Sequence, residues 1–504
     1  MKVLFLLKNS GMHERMGIMT LSSILKQQGH SVQLLLTEQS SEEDIVAKVK
    51  AYAPQVLAYS IMTGEHHYHI DLNSMVRRHH DALSVFGGPH PTFTPEIVEK
   101  DDVDAVCVGE GDICFPELLK RMEDGRDFFD VPSFWFKKPN GDIIRNEMGN
   151  LVENLDDLPH PDRKLMYDVE TVLGLKGMKL FMAMRGCPYQ CSYCFNHAYN
   201  KMTKGKGKVI RTRSVDSMIS EIKEVKEKYF LDRVWIDDDT FLVKPEGWLE
   251  EFAERFPKEI GIPLFVNVRA NLLTQDRIGE LLQRMNCRNV CLGVECGNNK
   301  AATEILQRNL TNDRIIKACE ILHKYNIRIQ TQNLIGLPID NALEVDLETL
   351  DLNIKLRPHF GQTSILYPYP KTKIGQLAVE KGMFDADFEK IRVSNKTGSP
   401  LDFGDPKLKR KIVNLHQLFG IIVQFPFLRP ITPFLISLPL TRFYNWLFFA
   451  FYGYKYSTIS SMRGFLKMIP HYMSFYFRYV SGLENRTVFK SVSQNQTYPQ
   501  DSRE

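Results

Sequence analysis

Three cysteines stand close together in RGCPYQCSYCFNH, residues 185–197: Cys187, Cys191 and Cys194, spaced C-x3-C-x2-C, with Phe195 directly after the last. Thiolates this close are a ligand set. A cubane iron–sulfur cluster has four irons and normally takes four cysteines, so three would leave one iron open to another ligand. Zinc is the rival metal; a structural zinc wants four ligands, and His197 would have to complete the set. The bland reading is three unrelated buried thiols, against which stands the position of the motif at the end of the apolar strand FMAMRG.

A second candidate is WIDDDTF (235–241), where Asp237, Asp238 and Asp239 end the apolar strand RVWI. Carboxylate runs usually lie on solvated faces. At the end of a buried strand they are better read as lining a cavity, where they suit a cationic group.

The elements around these residues alternate. Residues 1–125 run KVLFLL, VQLLLTE, VLAYSIMT, LSVFGGP and VDAVCVGEG with helical patterns between them, which predicts a doubly wound parallel sheet. Ligands in such sheets bind beyond the C-terminal strand ends. The turns GGPHPT (87–92) and GEGD (109–112) fall there, with glycines that let backbone approach a ligand. From 178 to 385 six further strands, KLFMAMRG, RVWIDDD, PLFVNVRA, NVCLGVECG, IRIQTQNLIGLP and GQTSILYPYP, predict an open partial (β/α)6 barrel with its chemistry at the same strand ends. The helix SVDSMISEIKEVKEKY puts Met218, Ile222, Val225 and Tyr229 on one face, with Ser214 as N-cap. The expected domains are 1–130, a linker over 131–177, 178–385, a helical aromatic-rich region over 386–480, and a polar, disordered tail over 481–504.

Composition is that of a globular chain, 43% hydrophobic and 25% charged over 504 residues. A net charge of +3 implies no nucleic-acid partner. Nine cysteines without an export signal argue for reduced thiols, metal ligation and a cytoplasmic protein. No apolar run reaches the ~18 residues of a membrane span.

At the cysteine motif the chain resembles the radical SAM superfamily, in which S-adenosylmethionine chelates the open iron of a [4Fe-4S] cluster. An electron from the cluster then breaks its sulfonium bond, and the 5′-deoxyadenosyl radical takes a substrate hydrogen. The resemblance implies that Cys187, Cys191 and Cys194 hold the cluster. It places Asp237, Asp238 and Asp239 at the SAM amino group, Glu295 in GVECGN (293–298) at the ribose hydroxyls, and Gly336 in NLIGLP (333–338) at the adenine. Asp238 and Glu295 are the residues expected above all to orient SAM.

The first domain, with GHSVQLL, AYSIMT, GGPHPT and VGEGD, resembles the cobalamin-binding domain of the cobalamin-dependent radical SAM enzymes; the likeness covers about four-fifths of the chain. It implies cobalamin at Ser60, Gly87, Gly88, Gly109 and Gly111. One loop departs from the family's D-x-H-x-x-G: NSGMHERMG has His13 but no aspartate two residues earlier, and Gly17 comes one place late, so His13 is not assigned as a cobalt ligand. The most common outcome in this family is C-methylation of a small molecule, with electrons from an external donor such as a ferredoxin or flavodoxin. The alternatives are a non-methylating cyclase, such as the ring-forming enzyme of anaerobic chlorophyll synthesis, and a non-catalytic cobalamin or SAM sensor. A methylthiotransferase is disfavoured, because only Cys107 and Cys114 occur in the first domain.

Other features are set aside. EHHYH (65–69), His79 and His80 read as solvated, and Cys287, Cys291 and Cys296 as buried structural thiols. The basic run KMTKGKGKVIRTR (201–213) reads as a solvated loop. Residues 408–480, rich in Phe and Tyr with flanking Arg and Lys, read as a helical cap on the barrel; the rival is peripheral membrane contact or a lipid-like substrate.

Overall fold

The computed structural model describes residues 1–11, 13–391 and 398–459. The described residues form two compact units, 1–152 with 158–173, and 153–157 with 174–459.

In the first unit β1 (Lys2–Leu7), β2 (Ser31–Leu36), β3 (Val56–Ser60), β4 (Leu83–Gly87) and β5 (Ala105–Cys107) pair in parallel in the order β2-β1-β3-β4-β5. The central strand is apolar because helices cover both faces: every residue of KVLFLL after Lys2 is buried. The segment expected as a linker behaves differently. Two antiparallel strands, β6 (Phe134–Lys137) and β7 (Ile143–Arg145), continue the sheet beyond β5. In FWFK the fully buried Phe134 and Phe136 alternate with Trp135 and Lys137, a strand period too short to stand out among the surrounding turn residues. EHHYH is also not solvated. It opens the helix His66–Arg77, and His66 and His69 are buried. His69 Nε2 accepts the Lys8 N–H at 3.3 Å while Nδ1 meets the Glu65 carbonyl at 2.9 Å, and burial holds its pKa below the ordinary value.

In the second unit β8 (Met178–Phe181) is followed by a small hairpin, β9 (Met184–Arg185) with β10 (Arg211–Thr212). Five more strands, β11 (Arg233–Ile236), β12 (Leu264–Val268), β13 (Cys287–Glu295), β14 (Arg328–Ile335) and β15 (Phe360–Ile365), complete a six-stranded parallel sheet in the order β15-β14-β13-β12-β11-β8. Burial along β14 alternates strictly. Its outward residues pack beneath helices, in a core joining Val234, Val266, Val290 and Ile329 to Met218, Phe252, Leu282 and Leu322. On its inward face Gln330 and Gln332 are polar and half-buried, which leaves room for a site.

The helix Val215–Lys228 begins as expected, with Ser214 Oγ accepting the Ser217 N–H at 3.1 Å. The end of the preceding basic run is not solvated: Arg211 and Arg213 are buried, and Arg213 pairs with the buried Glu221 and donates to Ser217 Oγ at 3.0 Å. Helices Pro406–Gln424, Thr432–Ser437 and Thr441–Ile459 pack on β15 and on the helix Ala342–Leu356. No helix among the described residues is long and apolar enough to cross a membrane. Residues 460–480 and the tail over 481–504 lie outside the described residues.

Arg213→Met removes the guanidinium that pairs with the buried Glu221 carboxylate and is expected to cost about 3 kcal/mol in chemical denaturation. Lys204→Met, on the exposed part of the same run, should stay within about 0.5 kcal/mol of the parent.

Candidate active site

A cavity of about 370 Å³ lies at the C-terminal ends of the second unit's strands. The cysteine loop, joining β9 to the helix Phe195–Met202, forms one wall, and Cys187, Cys191 and Cys194 all face in. Local chemistry dictates the loop. Gly186 has φ +92°, and a Cβ there would come within 2.1 Å of the Val209 carbonyl oxygen, so only glycine fits before Cys187. The His197 ring meets the Cys191 and Cys194 carbonyls through Nδ1 at 3.1 and 2.6 Å, and Asn200 Nδ2 donates to the Cys187 carbonyl at 2.9 Å. His197 is thus a brace beneath the loop.

The three sulfurs do not all lie within 4.8 Å of one another. A tetrahedral zinc would hold its sulfurs roughly 3.8 Å apart, given a 2.3 Å bond. Three thiols at wider spacing, one per iron, fit a cubane with a free corner. Burial pushes the Cys187 thiol up to about 11 and Cys194 up to about 12, so a bound iron would have to take the place of protons there.

The opposite walls carry charge of both signs. Asp237 accepts Asn267 Nδ2 at 2.7 Å, and Asp239 opens into the cavity, its carboxyl raised by the protein that desolvates it and partly offset by Asn196. Glu295 sits at φ +67° where β13 carries an extra residue, Gly293 pairing with Gln332 but Glu295 with Asn333. Burial raises its carboxyl, against the pull of Arg308 at 3.4 Å. Arg308 also donates to Tyr193 Oη at 2.6 Å and to the Gly293 carbonyl at 2.5 Å. Arg269, at the end of β12, donates to Cys191 Sγ at 3.3 Å and to the Arg308 carbonyl, and lies over the Tyr189 ring at 4.0 Å.

Two expected residues lie elsewhere. Asp238 is fully buried behind the cavity wall. Its Oδ1 accepts the Ala183 and Met184 N–H groups at 2.8 and 2.9 Å, and its Oδ2 pairs with the equally buried Lys244 at 2.7 Å. Strand alternation turns it away from the face its two neighbours share, so it braces the site from behind. Gly336 is absent from the cavity walls; its N–H is taken by both oxygens of the buried Asp346, at 3.1 and 3.0 Å. Conversely Cys291, read as structural, faces the cavity, whereas Cys287 and Cys296 are buried. Tyr189, Tyr193, Trp235, Arg269, Cys291 and Arg308 were not foreseen as cavity residues. The signal available was position: Arg269 follows VNV at a strand end, as Asp237 follows VWI.

In the first unit Ser60, Gly87, Gly88, Gly109 and Gly111 meet at the C-terminal edge of the sheet. At Gly88, φ +95°, a Cβ would lie 2.8 Å from the Ile61 nitrogen and 3.1 Å from Ser60 Oγ. Thr92 Oγ1 ties the turns together, donating to the Gly88 carbonyl at 2.8 Å and accepting the Gly109 N–H at 3.1 Å. Added Cβ atoms at Gly87 and Gly111 would each lie 3.7 Å from Cys107. The glycines let these turns pack closely on one another at that edge. His13 is exposed at the surface of this unit.

The two units match two family models: residues 4–119 a B12 binding domain, and residues 182–350 the radical SAM superfamily, between them more than half of the chain. The chain is similar to an uncharacterized methyltransferase of Pyrococcus horikoshii, 24% identical over 374 residues, covering 73% of this chain and 79% of that one. It is similar also to the hopanoid C-3 methylase of Methylococcus capsulatus, 23% identical over 372 residues, 71% and 68% of the two chains. Among solved structures, the radical S-adenosylmethionine methyltransferase TsrM of Kitasatospora setae, with cobalamin and a [4Fe-4S] cluster bound, has the same fold at TM-score 0.60 and 17% identity over 75% of each chain. The chain belongs to the cobalamin-dependent radical SAM family.

Asp238→Asn keeps an acceptor for the Ala183 and Met184 amides but leaves the Lys244 ammonium unpaired in the core. It should destabilise the cofactor-free protein by about 3–5 kcal/mol, seen as a lower denaturation midpoint.

Proposed function

We propose that this protein transfers a methyl group to an unactivated carbon of a small, apolar molecule. The observation that carries the reading is the loop of three spaced thiols facing carboxylates and guanidiniums across one cavity, in a chain whose other unit matches a B12 binding domain and gathers its glycine turns at one sheet edge. When bound, the cluster and SAM supply a hydrogen-abstracting radical, and cobalamin carries the methyl group between SAM and substrate.

The chain's own residues bind and orient. Cys187, Cys191 and Cys194 would hold the cluster, with Arg269 beside Cys191 Sγ to offset its negative charge. Asp237 and Asp239 suit the SAM ammonium, in place of the Asp238 expected from sequence. Glu295, held by Arg308, suits the ribose hydroxyls, and Trp235, Tyr189 and Tyr193 offer flat faces to the adenine. Ser60, Gly87, Gly88, Gly109 and Gly111 would pass cobalamin along the sheet edge. Electrons would come from an external donor of the ferredoxin or flavodoxin kind. The apolar character of the substrate is supported by the aromatic C-terminal helices and by similarity to a hopanoid methylase.

The test uses anaerobically reconstituted protein with cobalamin, SAM, a strong reductant and cell extract as substrate source. Both 5′-deoxyadenosine and S-adenosylhomocysteine should form, the second only with cobalamin; 5′-deoxyadenosine alone would move the reading to a cyclase, and neither product to a sensor. Cys191→Ala should lose the cluster iron together with SAM cleavage. Asp237→Asn should keep its iron and weaken SAM binding roughly tenfold or more in equilibrium titration, the worth of one charge-assisted hydrogen bond.

A further inference from the structure

Thirteen large apolar side chains are exposed among the described residues, and eight of them fall between Phe425 and Tyr454. Phe427 is 74% exposed, Phe434 65%, Trp446 52% and Phe443 51%. The helix Thr441–Ile459 is apolar on two faces. Tyr444 and Phe448 point inward, while Phe443, Trp446, Ala450 and Tyr454, spaced at three to four residues, point outward. The Phe443 and Trp446 rings stack with centroids 6.1 Å apart. Soluble surfaces rarely gather so much apolar area in one place.

The charge carried by this segment has one sign. From 406 to 459 there are seven Lys and Arg residues and no Asp or Glu. Three have protein partners: Arg429 on Asp351, Arg410 on the Ser437 carbonyl, and the buried Lys455 on the His359 carbonyl. Lys407 and Arg442 are exposed, and Lys409 and Lys411 are half-buried. Aromatic tips flanked by basic residues suit the headgroup region of an anionic bilayer. They do not suit a second copy of this chain, since a two-fold contact would set like charges against each other.

The packing also sets the level of this face. Ile412 touches Gly336, at the cavity end of β14, whereas Val423 touches Gly361, near the start of β15. Asn414 holds the Ile436 and Leu438 carbonyls at 2.9 Å and accepts the Thr441 hydroxyl at 2.8 Å. Phe434, Leu440 and Phe443 therefore lie toward the strand ends that carry the cavity, and Tyr454, next to the Lys455 bond to the His359 carbonyl, lies toward the opposite ends.

We infer that the helices over 426–459 form a membrane-seating surface, by which the protein rests on anionic lipid with this flank of its second unit against the bilayer. Resting on the proposed function, this gives an apolar substrate a short path from lipid to site; the seating itself does not depend on that reading.

The full chain should co-sediment with vesicles of equal phosphatidylcholine and phosphatidylglycerol, and much less with phosphatidylcholine alone. The combined change Phe434→Ser, Phe443→Ser and Trp446→Ser should weaken binding at least about a hundredfold, and Lys407→Glu with Arg442→Glu roughly tenfold. Iron content and SAM cleavage should match the parent in both variants. Absence of sedimentation by the parent, or equal sedimentation of parent and aromatic variant, overturns the inference. So does a parent dimer, seen by sedimentation velocity, that the aromatic variant loses. Loss of SAM cleavage in the parent would sink the proposed function and leave the vesicle result standing.

Discussion

The active-site end of this protein depends on one buried ion pair. Asp238 and Lys244 are both withdrawn from water, and such a pair is tolerable only when its remaining hydrogen-bonding capacity is met. Here it is: two backbone amides saturate one carboxylate oxygen, and the ammonium lies over the Phe241 and Trp248 rings at 5.0 and 5.3 Å. Those amides belong to Ala183 and Met184, the turn that launches the cysteine loop. The pair therefore joins the end of β11 to the start of the thiol wall, and by strand alternation it turns Asp237 and Asp239 to the opposite face.

Much of this architecture was legible in the sequence because strand–helix alternation is a long-period signal. The order of eleven parallel strands, the cysteine loop and the glycine turns all follow from it. What the sequence concealed was facing. Three consecutive carboxylates look alike on paper, yet only alternate ones can share a wall, and nothing in the letters says which set. Arg269 and Arg308 were hidden for another reason: their value lies in contacts with Tyr189, Tyr193 and Cys191, far away along the chain. Arg213 and His69 show the same limit, since a polar residue with a distant buried partner is indistinguishable in composition from a solvated one. The short strands β6 and β7 vanished among turn residues.

The two guanidiniums explain how a wall of thiols and a wall of acids can face each other without collapse. Arg269 reaches from Cys191 to the Arg308 carbonyl, and Arg308 from Tyr193 to Glu295, so each cation is shared between the two sides. Planar forks suit this bridging, because several donors point in fixed directions at once. The cavity is thereby organised by cross-bracing through its rim while its interior stays open to small polar groups.

The extra residue between Gly293 and Glu295 bears on how this strand can change over time. Side chains beyond a bulge keep their facing only while the count of residues is preserved. Losing Val294 would swing the carboxylate out of the cavity and carry Cys296 into it; gaining a residue would do comparable damage in the other sense. Substitutions can accumulate along β13 one at a time, but a change of length there removes a cavity-facing acid in a single event. Diversification by insertion is therefore pushed away from this strand and into the loops beyond the sheet.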